Sequence, residues 1–202
     1  MTDRVELFES LLSASLQSNN VCYSGGAKGS DRFFGIWAAE KGHDVLHFGF
    51  DEHSYKGHDK LLNVPVPDVL LQSSTIKDSL IKANLKLKRK VPSWGYVYKL
   101  LARNSYQILH TERVYCMVEE VNKDTVSGGT GWAVQMYIDS CPEPELYVYN
   151  IHTDKCYQYE VKQKKFVEVL HVPEPHGKWT GIGTRNCVIQ HLKKFSSRFI
   201  KE

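Results

Sequence analysis

At 202 residues, with 42% hydrophobic and 24% charged residues, the chain has the composition of one ordinary globular domain, residues 1–202. A formal net charge of +3 permits an anionic ligand without implying a nucleic-acid surface. The opening MTDRVELFES shows no basic n-region before an apolar run, and no apolar stretch approaches the ~20 residues of a membrane span, so a cytoplasmic protein without a membrane segment is expected.

The first predicted element is a helix. Asp3 can cap it with Glu6 three residues on, and Val5, Phe8, Leu12 and Leu16 form one apolar stripe. A short strand, Val21 to Tyr23, runs into a glycine-rich loop, Ser24-Gly25-Gly26-Ala27-Lys28-Gly29-Ser30-Asp31. Asp31 opens a second helix through Phe34, Ile36, Trp37 and Ala38, with Gly42 as its stop. His43 to Phe50 reads as a second strand.

Residues 51–92 hold Pro65, Pro67 and Pro92 and a basic run from Lys77 to Lys90, and read as a helical insertion over the sheet edge. Trp94 to Leu109 is predicted helical and delivers Arg103-Asn104. Arg113 to Glu119 is a strand, followed by a second glycine loop, Ser127-Gly128-Gly129-Thr130-Gly131-Trp132, and a helix over Ala133 to Ser140. Leu146 to Asn150 is another strand, and alternation on either side of Gln163-Lys164-Lys165 predicts an antiparallel hairpin over about 155–170. A third glycine loop, Gly181-Ile182-Gly183-Thr184-Arg185, precedes a helix with Val188, Leu192, Phe195 and Phe199 as its stripe.

Strands alternating with helices predict an α/β fold, a Rossmann-like, doubly wound and mainly parallel sheet. Ligands of such sheets bind at the carboxyl ends of the strands, where all three glycine loops are expected to converge. A glycine loop feeding a helix presents unpaired N–H groups and the positive dipole end to a phosphate. Gly25, Gly26 and Gly29 allow close backbone approach, and Ser24 and Ser30 add hydroxyls. Asp31 either caps its helix, binds a ribose hydroxyl or acts as acid or base. Gly128, Gly129 and Gly131 can form an anion nest with Thr130 donating, while Trp132 either stacks on a base or packs in the core. Arg185 follows a glycine turn at an expected helix start, where a cation is unfavourable unless an anion shares the spot. Arg103 is either a second ligand contact or a surface ion pair.

No Gly-Lys-Ser/Thr, GxGxxG, GxSxG or HExxH is present. His47, His53 and His58 cluster loosely without metal-ligand spacing, and no metal or other cofactor is expected. The five cysteines are scattered, and reduced thiols are expected.

The string SGGAKGSD resembles the SGGAxGxD signature of the SLOG superfamily, the Rossmann-like group that contains DprA/Smf and the Lonely guy enzymes. Gly128 to Gln135 is similar to the GGxGTxxE loop of the Lonely guy enzymes, and Gly183-Thr184-Arg185 to the G-[ST]-R that closes the first strand of DprA-type domains. In the family that strand precedes SGGA, whereas here it comes last, so the resemblance implies a circular permutation. It also implies a small phosphorylated nucleotide-like ligand, such as a nucleoside phosphate or an ADP-ribose or NAD-derived signal, and pairing as a homodimer. Asp31 or Asn104 would then bind ribose, and Trp132 or Tyr106 the base.

The glutamate used by the Lonely guy enzymes for N-glycosidic cleavage falls at Gln135, and an amide is no general base. Holding or sensing the ligand is therefore the leading expectation. An N-glycosidase with Asp31 as its acid or base is the alternative. DprA-like single-stranded DNA binding is a third reading, disfavoured by the small net charge, with the basic run as an ordinary solvated face.

Overall fold

The computed structural model describes residues 2–51 and 62–201. Short β-branched and aromatic runs form the strands β1 (Val21–Ser24), β2 (Asp44–Gly49), β3 (Leu62–Pro65), β4 (Arg113–Val118), β5 (Glu145–Asn150), β6 (Lys155–Glu160), β7 (Lys165–Val169), β8 (Val172–Pro173), β9 (Lys178–Gly183) and β10 (Phe199–Ile200). Between them lie helices α1 (Thr2–Ser15), α2 (Ser30–Glu40), α3 (Asp68–Leu71), α4 (Ser74–Leu87), α5 (Tyr96–Leu109), α6 (Thr130–Ser140) and α7 (Ile189–Ser196).

Among the described residues, eight strands form one sheet in the order β3-β2-β1-β9-β4-β5-β6-β7. The strands from β3 to β5 run parallel, and β6 and β7 add the expected antiparallel hairpin, whose turn holds Lys164 at φ 49°. β8 and β10 pair in a small separate sheet. The fold is α/β, doubly wound and mainly parallel. β9, late in sequence, sits at the centre between β1 and β4. The strand order reverses there, and such a switch point opens a crevice at the carboxyl ends of the strands.

Period-two alternation sorts the core onto the two faces of the sheet. Val114, Cys116 and Val118 of β4 pack with Ala133, Val134 and Tyr137 of α6. Tyr115 and Met117 face the other way, with Phe34 of α2 and Phe195 of α7. Each fully buried side chain of this size contributes about 1.5–3 kcal/mol. α1 and α5 cover the α6 side, where Phe8 meets Tyr106 edge-on.

Three expectations are corrected. Residues 51–92 do more than lie over an edge: Leu62–Pro65 extends the sheet beside β2, and α4 packs on α5 and α6. Pro65 is tolerated because it closes an edge strand that needs no further donor there. Gly181, Ile182 and Gly183 belong to β9 and not to a loop, and residue 181 is glycine because a Cβ there would overlap the Phe34 ring. Phe199 lies in β10 and not on the last helix, so only Leu192 and Phe195 of the predicted stripe are buried in α7. The five cysteines form no disulfide.

At the amino ends of the strands, the Trp179 Nε1 donates to His43 Nδ1 at 3.0 Å. Burial lowers the His43 pKa from 6.5; Lys41 and His176 act in the same direction, and Glu174 and Asp44 oppose it. A protonated Nδ1 would face the Trp179 N–H donor to donor. Because the folded value is depressed, this bond's stabilisation is complete above the ordinary value of 6.5 and is lost as pH falls through the folded value. We expect the unfolding midpoint to fall on acidification below about pH 6.5, and His43→Leu to flatten that slope; equal slopes for both proteins would refute the assignment.

Candidate functional site

A cavity of about 520 Å³ opens at the carboxyl ends of β4 and β9, with α5, the α6 N-terminus and residues 183–186 around it. Of the residues singled out in the sequence, it brings together Asp31, Arg103, Asn104, Gly128, Gly129, Thr130, Gly183, Thr184 and Arg185. Val97, Leu100 and Leu101 of α5 supply an apolar wall.

The first glycine loop shapes the floor, and the hydroxyls of Ser24 and Ser30 and the Ser30 N–H are engaged within the fold. The Ser24 hydroxyl donates to the Asp31 carbonyl at 3.2 Å and accepts from the Gly26 N–H at 3.1 Å. The Ser30 N–H and hydroxyl both donate to the Thr184 carbonyl, at 3.2 and 3.0 Å. That carbonyl therefore covers the α2 N-terminus, and a Cβ at Gly29 (φ 89°) would crowd it and Arg185 Cα. The expected hydroxyl donors Ser24 and Ser30 are spent within the fold.

Asp31 lies inside the first turn of α2, behind Gly29 at the N-cap position, and is not its cap. One carboxylate oxygen accepts from the Gly183 N–H at 3.3 Å, and the other lies 3.5 Å from Arg103 Nη1. Burial pushes the Asp31 carboxyl above its ordinary range, against the pull of Arg103 and the N–H groups of Gly183 and Gly25. Arg103 is not a surface residue: only 2% of it is exposed. Its Nη1 donates to Gln107 Oε1 at 2.7 Å, and a Cβ at Gly25 would overlap the guanidinium. Gly25 is thus the slot in which Arg103 lies.

The second glycine loop is the open one. The N–H groups of Gly128, Gly129 and Thr130 make no hydrogen bond among the described residues. No atom lies within 4 Å of a Cβ built at Gly128 or Gly129, and Gly128 takes φ 66°. These donors and the positive end of the α6 dipole face the cavity side by side, a seat for an anionic oxygen. Arg89 braces the seat from outside, with Nη1 on the Gly128 carbonyl at 2.6 Å and Nη2 on that of Val126 at 3.5 Å. Holding those carbonyls outward keeps the N–H groups turned inward. Arg89→Met is expected to loosen this loop, read as faster amide hydrogen exchange at Gly128 to Thr130, with partial recovery in Arg89→Lys. Unchanged exchange in the methionine variant would show that the brace is dispensable.

Arg185 lines the cavity but does not stand at a helix start, because α7 begins at Ile189. It makes no ion pair among the described residues, so its charge is available to a ligand. Glu119, at the end of β4, accepts from the Thr184 hydroxyl at 2.7 Å and from the Asn186 amide at 2.6 Å. These bonds, Thr184 first, hold its carboxyl below the ordinary range, so it is ionised at neutral pH.

Several expectations do not meet at the cavity. Trp132 and Tyr106 are core residues of the α1–α5 side, and Gly131 packs under Val126. Gln135 donates to Asp139 Oδ1 at 2.8 Å and lines a second cavity of about 310 Å³ between α4, α6 and the hairpin. Helical geometry explains this, since positions five residues apart cannot both face the cavity that Thr130 faces. Its amide thus says nothing about chemistry at the main site. His53 and His58 lie outside the described residues, and His47 is buried in β2. Among the described residues, no three side chains group as metal ligands.

Glu119 and Arg89 were not singled out by the sequence reading. Glu119 carried one signal, an acidic residue closing a buried parallel strand ahead of a glycine loop. Arg89 was hidden in a lysine-rich run. Comparison with protein-family models, curated proteins and solved structures gives no match to this chain.

Proposed function

We propose that the protein binds a phosphate-bearing nucleotide derivative, a nucleoside phosphate or an ADP-ribose-like compound, and senses or sequesters it in the cytoplasm. The observation that carries the reading is the meeting, in one cavity of about 520 Å³, of the α6 N–H groups with the Arg185 guanidinium. The volume suits a nucleotide-sized ligand, and the Val97, Leu100 and Leu101 wall suits a base. The central seat of β9 supports the further reading of the chain as a circularly permuted SLOG-type domain, since the displaced G-[ST]-R strand then occupies the middle of the sheet.

Calorimetric titration with AMP, ADP-ribose and NAD tests the proposal. Saturable one-site binding of at least one of them is expected, and heats indistinguishable from dilution for all three would reject it.

One observation favours an enzyme instead. The Asp31 carboxyl lines the cavity and is pushed above its ordinary range by burial, a property of proton-transferring carboxyls. An N-glycosidase would release free base during incubation, detectable by chromatography and lost in Asp31→Asn. Intact nucleotide after prolonged incubation is the expected result for a binding protein.

A further inference from the structure

One ionised group in the cavity has no part in seating an anion. Glu119 uses Oε1 for both the Thr184 hydroxyl and the Asn186 amide, while Oε2 carries no hydrogen bond among the described residues. The end of β4 is folded back beside the anion seat. Ser127 N donates to the Glu120 carbonyl at 3.1 Å, and Glu120 N donates to the Ser127 hydroxyl at 3.3 Å. Glu119 and Gly128 therefore flank the Glu120–Ser127 pair, one residue on either side. Asp31, the other carboxylate in the cavity, has both oxygens engaged by Gly183 and Arg103.

An ionised carboxylate only accepts hydrogen bonds. Beside an anion seat its repulsion takes something from phosphate affinity, while it rewards hydroxyl donors on the group that carries the phosphate. We propose that Glu119 is the specificity-determining residue of this site, accepting the vicinal hydroxyls of a ribose whose phosphate rests on Gly128 to Thr130. The site then selects ribonucleotides over their deoxy counterparts. Asp31, one of the two residues to which the sequence offered the ribose, has both oxygens engaged and is relieved of that role. The inference rests on the nucleotide-binding reading above.

The test is a pair of calorimetric titrations, with AMP and with 2′,3′-dideoxy-AMP, on the wild-type protein and on Glu119→Gln. The glutamine keeps an acceptor oxygen for Thr184 and Asn186, so the loop clip survives while the charge is removed. The wild type is expected to prefer AMP by about tenfold or more, the weight of a charge-assisted hydrogen bond. In Glu119→Gln that preference should shrink to about threefold or less. Equal affinities of the wild type for the two nucleotides overturn the assignment of Glu119 and leave the nucleotide reading standing, whether or not the variant folds. An undiminished preference in a folded Glu119→Gln protein does the same. Failure of the wild type to bind either adenylate overturns this inference, and the nucleotide reading falls with it only where ADP-ribose and NAD also give no heat beyond dilution.

Discussion

Arg103→Met should destabilise the protein by about 3–5 kcal/mol, the cost of leaving a buried charge without its partner. For a chain of this size that lowers the thermal unfolding midpoint by roughly 6–20 °C. The Asp31 carboxylate is enclosed beneath the cavity, and Arg103 Nη1 at 3.5 Å is its nearest positive charge. The same guanidinium holds Gln107 at 2.7 Å, Gln107 donates to the Thr180 hydroxyl at 3.2 Å, and Thr180 donates to the Tyr23 carbonyl at 2.6 Å. Methionine fills much of the volume but leaves the carboxylate and the Gln107 oxygen unanswered. The pair itself is no large net stabiliser, for 3.5 Å is long and Arg103 Nε is buried with no partner among the described residues. The double variant Asp31→Asn with Arg103→Met, which removes both charges, is therefore expected to recover more than half of the loss. Additive destabilisation in that double-mutant cycle would show that the two groups are not coupled.

Why some of this was legible in the chain and some was not follows from the range of the interactions. The strands and the hairpin are local: Val114 to Val118 alternates about a fixed backbone period, and Lys164 marks its own turn. The convergence of the loops was legible too, because parallel strands send their carboxyl ends to one side. What a glycine is for was not legible. Gly25, Gly29 and Gly181 each leave room for a partner distant in sequence: Arg103, the Thr184 carbonyl and the Phe34 ring. No local pattern separates these packing glycines from Gly128 and Gly129, which face open space at the cavity. For the same reason α2 looked like an anion site, although a carbonyl 154 residues away had closed it. β3 escaped because it is four residues long, ends in proline and draws its stability from β2. Gln135 misled through alignment of a motif, since its helix turns it away from the site the motif implies.

The second large effect distinguishes the two glycine loops directly. Gly129→Val should abolish measurable AMP binding while leaving the fold intact. Gly129 has an ordinary helical φ of −63°, and no atom lies within 4 Å of its Cβ position, so valine enters without strain. Its methyl groups occupy the place of the anionic oxygen and shield the Gly128 and Thr130 N–H groups. Arg185→Ala should raise the AMP dissociation constant about tenfold or more, because the proposed charge-assisted contact to phosphate would be lost with no buried partner left behind. Neither substitution should move the unfolding midpoint by more than a few degrees. The opposite pattern is expected at the first loop. Ser30→Ala removes the hydroxyl bond to the Thr184 carbonyl at 3.0 Å, so it should lower the unfolding midpoint and change AMP affinity by less than about threefold. Should calorimetry give undiminished affinity in both Gly129→Val and Arg185→Ala, the anion does not sit at α6. A selective loss in Ser30→Ala would move it to α2, which requires the Thr184 carbonyl to leave the end of that helix.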